Sequence, residues 1–143
     1  MELSMSCADV IDLQYLSAAN GWSNFNWRAG FEVIAAGNGE AEIRMKWNDR
    51  FTQYAGHLHA GMIAALLETA CGFAAATVAG SLAASHFSMN CLKPVVGGVL
   101  VARGSTVRAG RRQVFARAEL FVEDEQGEVS LVATGETVLV PAG

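Results

Sequence analysis

His59–Val78 reads HAGMIAALLETACGFAAATV, and this stretch decides the fold. Its length and composition predict one helix of about 30 Å, nearly the width of a small domain. It is apolar all round except for Glu68 and two threonines. A surface helix carries a polar stripe, so this one is expected to be enclosed on most sides. From Ala60 to Ala84 the only charged side chain is Glu68. A membrane span is nevertheless not expected. The run is mostly Ala, Gly, Thr and Ser, no Lys or Arg brackets it closely, and a carboxylate stands within its first half.

Outward from the helix the pattern changes. Ser85–Leu92, Val99–Arg108, Gln113–Glu123 and Val129–Val140 read as strands separated by short turns. In Gln113–Glu123, Val114, Ala116, Ala118, Leu120 and Val122 fall on one face and Arg117, Glu119 and Glu123 on the other. Upstream, Phe31–Ala36 and Ala41–Trp47 flank Gly37-Asn38-Gly39, a hairpin signal. Ala8–Ala19 predicts a short amphipathic helix ended by Asn20-Gly21. This order excludes a parallel βαβ fold. It predicts an α+β domain over 1–143, with a curled antiparallel sheet wrapped around one long central helix. One sheet covers only part of such a helix, and a second copy of the chain is the simplest cover for the rest.

Composition agrees. The 143 residues are 52% hydrophobic and 17% charged, the balance of a chain that buries a core rather than a disordered one. A net charge of −4 without a basic patch argues against a nucleic-acid partner. Cys7, Cys71 and Cys91 are odd in number and widely spaced, which reads as reduced thiols in a cytoplasmic protein. Glu2, Asp9 and Asp12 in the N-terminal segment do not fit a signal peptide.

Glu68 is the anomaly. A carboxylate in an apolar helix costs several kcal/mol unless it is paired, hydrogen-bonded or exposed to a cleft. It therefore either acts chemically, or caps backbone or pairs with a cation such as Arg108. Gly61, Ala64, Ala65 and Gly72 share its helical face. These small residues would admit a substrate or allow close packing across a dimer axis. The glycines at 56 and 61 allow a sharp turn into a helix whose first N–H groups form an oxyanion or phosphate site. His57 and His59 form a His-x-His pair, but no third ligand at suitable spacing completes a metal site. Cys71, in an Ala-rich helix, reads as a small core residue rather than a nucleophile.

Gly56-x-x-His59-Ala60-Gly61, the run Met62–Leu67, Glu68 and Ser88-Met89-Asn90-Cys91-Leu92-Lys93-Pro94 together resemble hotdog-fold acyl-CoA thioesterases. The likeness is to the PaaI-like group, which overlaps the 4-hydroxybenzoyl-CoA thioesterase type, and it covers about Trp22 to Val140. The resemblance implies that Glu68 is the catalytic carboxylate, as nucleophile or as the base that activates water. It implies that Gln53 orients the water or thioester, and that the Ala60 N–H polarises the thioester carbonyl. His59 and Gly61 would belong to the same catalytic group, His59 fixing the turn or assisting. Gly72 and Asn90 would lie against the substrate, and Arg111 and Arg112 would receive the phosphates of coenzyme A. No metal and no cofactor beyond the substrate's own coenzyme A is implied. The partners are an acyl-CoA and further copies of the chain, as a dimer or a dimer of dimers, without nucleic acid or membrane.

Two positions depart from the pattern. Ala60 stands where family members usually have the first glycine of His-Gly-Gly, and Gly72 where some carry Ser or Thr. The chemistry is self-consistent, because an alkyl thiolate leaves readily and needs no strong general acid. Two alternatives compete: a hotdog hydratase or dehydratase, disfavoured because Gln53–Gly61 lacks proline, and a non-catalytic acyl-CoA-binding hotdog protein.

Overall fold

The structure, a computed structural model, describes residues 11–142. Cys7, the N-terminal residues read for a signal peptide, and the first part of the expected Ala8–Ala19 helix lie outside them.

The first helix, α1 (Leu13–Trp22), is capped by Asp12, whose carboxylate accepts the Tyr15 N–H at 3.0 Å. It does not stop at Asn20-Gly21. Asn20 is buried, and its Nδ2 donates to the Phe31 carbonyl at 2.8 Å, so a tertiary bond overrides the local stop signal. A second helix that the sequence reading lacked, α2 (Asn24–Ala29), follows at once. Ser23 caps it, accepting the Asn26 N–H, and Gly30 ends it at φ 79°.

The hairpin forms as expected between β1 (Glu32–Gly37) and β2 (Glu40–Lys46). Asn38 and Gly39 form its two-residue turn with φ of 53° and 80°, the left-handed pair that matches the twist of the flanking strands. The turn docks on the long helix, α3 (Ala60–Ala79), through the Gly39 N–H, which donates to Thr77 Oγ1 at 2.7 Å. The remaining strands are β3 (Leu82–Cys91), β4 (Val99–Ala109), β5 (Val114–Glu123) and β6 (Val129–Pro141). All pair antiparallel in the order β1-β2-β4-β5-β6-β3.

The register explains the core. Ile43, Ala102, Leu120 and Ala133 are partners across β2, β4, β5 and β6, and each is fully buried beneath α3. Gly104 on β4 lets the helix settle close, since a Cβ there would collide with the Ala70 carbonyl. Leu66, Leu67, Ala70, Cys71 and Ala74 on the sheet side of α3 are fully buried. Truncating Leu66 or Leu120 to Ala would cost about 2–5 kcal/mol.

The cover is one-sided. On α3, Gly61 is exposed and Ala64, Ala65, Glu68 and Gly72 are only half-buried. Enclosure on most sides is thus not achieved within one chain. α3 is long and apolar enough to cross a membrane by composition, with a mean hydropathy of 1.7, yet half of that window is buried within the chain. Strand β3 is likewise open: it is an edge of the sheet, and none of its residues is buried.

Candidate active site

The segment before α3 is held by the backbone. Thr52 and Leu58 form an antiparallel bridge, and the Gln53 N–H donates to His57 O at 2.8 Å. Gly56, at φ 88°, turns the chain and donates to Gln53 O at 3.0 Å. The His59 and Leu58 N–H groups donate to Phe51 O and Val95 O at 2.8 and 2.9 Å, which fixes where the helix begins.

His59 is the N-cap. Its Nδ1 accepts the Gly61 N–H at 2.7 Å, and its carbonyl accepts from Met62 and Ile63 at 2.9 and 3.2 Å. Gly61 is a glycine for this reason: a Cβ there would sit 2.9 Å from His59 Nδ1. The bond from Ile63 is the first regular helical one, and with the His59 N–H on Phe51 O the bonds of Gly61 and Met62 occupy three of the four N–H groups that a helix start leaves without intrahelical partners. The Ala60 N–H is the one with no acceptor among the described residues. Ala60 needs no glycine, since Asn38 is the only non-glycine with positive φ among the described residues. The oxyanion-hole expectation narrows accordingly from the helix start as a whole to one exposed donor.

Gln53, His59 and Ala60 line one cavity of about 480 Å³, together with Cys91, Lys93 and Pro94. His57 also lines it, and the amide of Gln53 meets both the Ala55 N–H and His57 Nε2. The sequence reading gave Lys93 no role. Its place at the turn after β3, just before Pro94, is the signal that could have found it.

Glu68 lies elsewhere. It is eight residues beyond Ala60, so it stands roughly 12 Å further along the axis and is rotated by roughly 80°. With Gly72 it lines a second cavity of about 360 Å³, walled by Tyr15, Leu16, Phe73 and Leu82. Burial raises its pKa above the ordinary 4.5. No hydrogen bond or ion pair reaches it among the described residues, and Arg108 lines a different cavity with His86 and Glu136. A Cβ on Gly72 would lie 3.9 Å from Glu68 Oε1, in ordinary contact, so the glycine leaves about a methyl group's space beside the carboxylate. One turn along, burial pushes the Cys71 thiol up to about 11, which suits a core residue rather than a nucleophile.

The other expected contacts are not brought to either cavity. On β3, Phe87 and Met89 turn inward against the core, so Asn90 faces the outer side of the sheet beside Arg103, Arg117 and Glu119. Arg111 and Arg112 are exposed in the turn between β4 and β5, closed by the Gly110 N–H donating to Gln113 O at 2.9 Å. His86 stands apart from His57 and His59, and no group of three metal-ligating side chains occurs among the described residues.

Residues 55–129, just over half of the chain, match the family model of the thioesterase superfamily. A crystal structure of a thioesterase family protein from Silicibacter pomeroyi superposes with a TM-score of 0.85 at 26% identity, covering 91% of this chain and 98% of that one. A mutant of the phenylacetic acid degradation protein PaaI from Thermus thermophilus gives 0.76 at 26% identity, covering 84% and 100%. A curated Saccharolobus solfataricus protein that bears an esterase name is 26% identical over 106 residues, 73% of this chain and 74% of that one. The sheet curled on one long helix is the hotdog architecture of these neighbours, and thioester hydrolysis is the general activity that the matches support. The chain belongs to the thioesterase superfamily.

Proposed function

We propose that the chain hydrolyses acyl-CoA thioesters to the free acid and coenzyme A, in a site shared between two copies of the chain. The observation that carries the reading is Glu68: a carboxylate that no hydrogen bond or ion pair reaches among the described residues, lining a cavity from an otherwise apolar helix. Structural acids have a cation or a backbone donor to satisfy them, and among the described residues this one has neither.

Sharing follows from reach. The attacking group must stand about 3 Å from the reacting carbon, and the oxyanion donor about 3 Å from the oxygen bonded to it. Ala60 and Glu68 of one chain are separated by roughly 12 Å along the helix and open into different cavities. A second copy laid against the open edge of β3 and the uncovered face of α3 would bring its own Glu68 to the first copy's Ala60. The apolar faces left open in a single chain support the same assembly.

In the reaction, Glu68 must begin as a carboxylate. It either removes a proton from water as the water oxygen attacks, or attacks the thioester carbon itself. The carbonyl oxygen gains negative charge and accepts the Ala60 N–H, with the Gln53 amide alongside. The C–S bond then breaks with its electron pair on sulfur, and the thiolate takes up a proton from the acid formed or from water. If Glu68 was the attacker, water cleaves the resulting anhydride and regenerates it. Coenzyme A enters as part of the substrate, and no separate cofactor is needed. Arg111 and Arg112 are assigned to its phosphates and Asn90 to a peripheral contact. The free thiols of Cys71 and Cys91 support a cytoplasmic location. The test is steady-state hydrolysis of a panel of acyl-CoA substrates by wild type and Glu68→Gln, followed by thiol release. The variant should lose at least about 100-fold in kcat; retention of more than about a tenth would refute the assignment.

A further inference from the structure

We propose that His57 is a positioning residue for the reaction: it fixes the amide of Gln53 by accepting a hydrogen bond at Nε2. The inference rests on the thioesterase reading, in which Gln53 serves the substrate.

Two contacts determine which way the amide points. The Ala55 backbone N–H can only donate, and the atom it meets is Gln53 Oε1. The other end of the amide, Nε2, is therefore the end that lies 3.1 Å from His57 Nε2. An amide nitrogen carries two hydrogens and has no lone pair to offer, so His57 Nε2 must be the acceptor. The ring is then neutral with its proton on Nδ1. Solvated histidine side chains favour the other tautomer, so the contact leaves a spectroscopic signature.

The consequence reaches the cavity. One hydrogen of the Gln53 amide is committed to His57, and the second remains available beside the cavity that Gln53 and Ala60 both line. Gln53 thus meets the substrate as a second donor beside Ala60. The terminal torsion of glutamine is broad and roughly two-fold, so without His57 the amide is held at its oxygen alone and loses its direction. No other lining side chain replaces this hold. His59 Nδ1 is occupied by the Gly61 N–H, and neither Cys91 nor Lys93 hydrogen-bonds to the amide. His57 acts through Gln53 and does not itself touch the reacting atoms.

Two measurements on the 143-residue chain test this. The first is the histidine tautomer, read by long-range nitrogen NMR on nitrogen-labelled protein. His57 should carry its proton on Nδ1 in wild type and shift toward the Nε2–H form in Gln53→Ala; a wild-type Nε2–H form would overturn the proposal. The second is a double-mutant cycle in kcat. His57→Ala should lose about 10-fold in the wild-type background and almost nothing in the Gln53→Ala background. His57→Gln, whose side-chain oxygen still accepts, should recover most of the loss. Equal losses in both backgrounds, or no recovery with glutamine, would contradict the proposal. If wild type hydrolyses no acyl-CoA, the thioesterase reading fails on its own, and the tautomer still decides whether His57 holds Gln53.

Discussion

The start of the long helix and its middle are built in opposite ways. At its start every group but one is satisfied within the chain: His59 caps Gly61, the bridge at Thr52 and Leu58 fixes the entry, and only the Ala60 N–H is left over. Two turns further on, Glu68 has no hydrogen-bond or ion-pair partner among the described residues, and its helical face is half-open. The first region is pre-organised by local hydrogen bonds. The second is a carboxyl group desolvated by its own chain's surroundings. In the proposed reaction the desolvated carboxyl group does the chemistry and the finished cap positions it.

That contrast orders the expected effects. Glu68→Gln should be the most damaging to turnover, at least about 100-fold in kcat, with the fold retained. Gln53→Ala should follow, at roughly 10- to 1000-fold, the scale for one positioned hydrogen-bonding group. Melting should barely change, and a large fall in stability with unchanged kcat would make Gln53 structural instead.

The pH dependence sharpens the same contrast. Because burial raises the pKa of Glu68 above 4.5, activity should fall as pH drops through that raised value, and Glu68→Gln should abolish this limb. Stability runs the other way. Between 4.5 and the raised value the folded chain holds the Glu68 proton more tightly than the unfolded chain, so this residue's contribution to stability declines as pH rises through the window. Glu68→Gln should therefore melt higher than wild type above the window and match it below, as calorimetry across pH would show. Equal melting at all pH values would mean that the carboxylate is not desolvated.

The smallest effect belongs to the cap. His59→Ala removes the bond to the Gly61 N–H and should cost about 1 kcal/mol in denaturant unfolding. Its kcat loss should be smaller than that of Gln53→Ala. An equal or greater loss would place His59 in the chemistry itself.

Periodicity made most of the fold legible. The long helix falls within one residue of its expected start, because an apolar run of that length has few other uses. The strands around Val114–Val122 alternate as their burial requires. The N-terminal helices were harder to read, since Asn20 there answers to Phe31, eleven residues away, rather than to its neighbours. Glu68 was legible as an anomaly of charge, and Ala60 only through the family pattern. That Gly61 is taken up by His59, and that Asn90 faces the far side of the sheet, depend on side-chain direction and strand register. Sequence spacing does not fix either one.

The central claim is that Glu68 and Ala60 act on one substrate from different copies of the chain, and mixing two inactive variants tests it most directly. Glu68→Gln and Gln53→Ala should be unfolded together, refolded as an equal mixture, and assayed for acyl-CoA hydrolysis. A site shared between chains leaves each mixed dimer with one intact pair, so activity should return to about a quarter of wild type, since half the dimers are mixed and each has one of two sites. A mixture no more active than the average of the two variants, with mixed dimers shown to be present, would contradict the shared site.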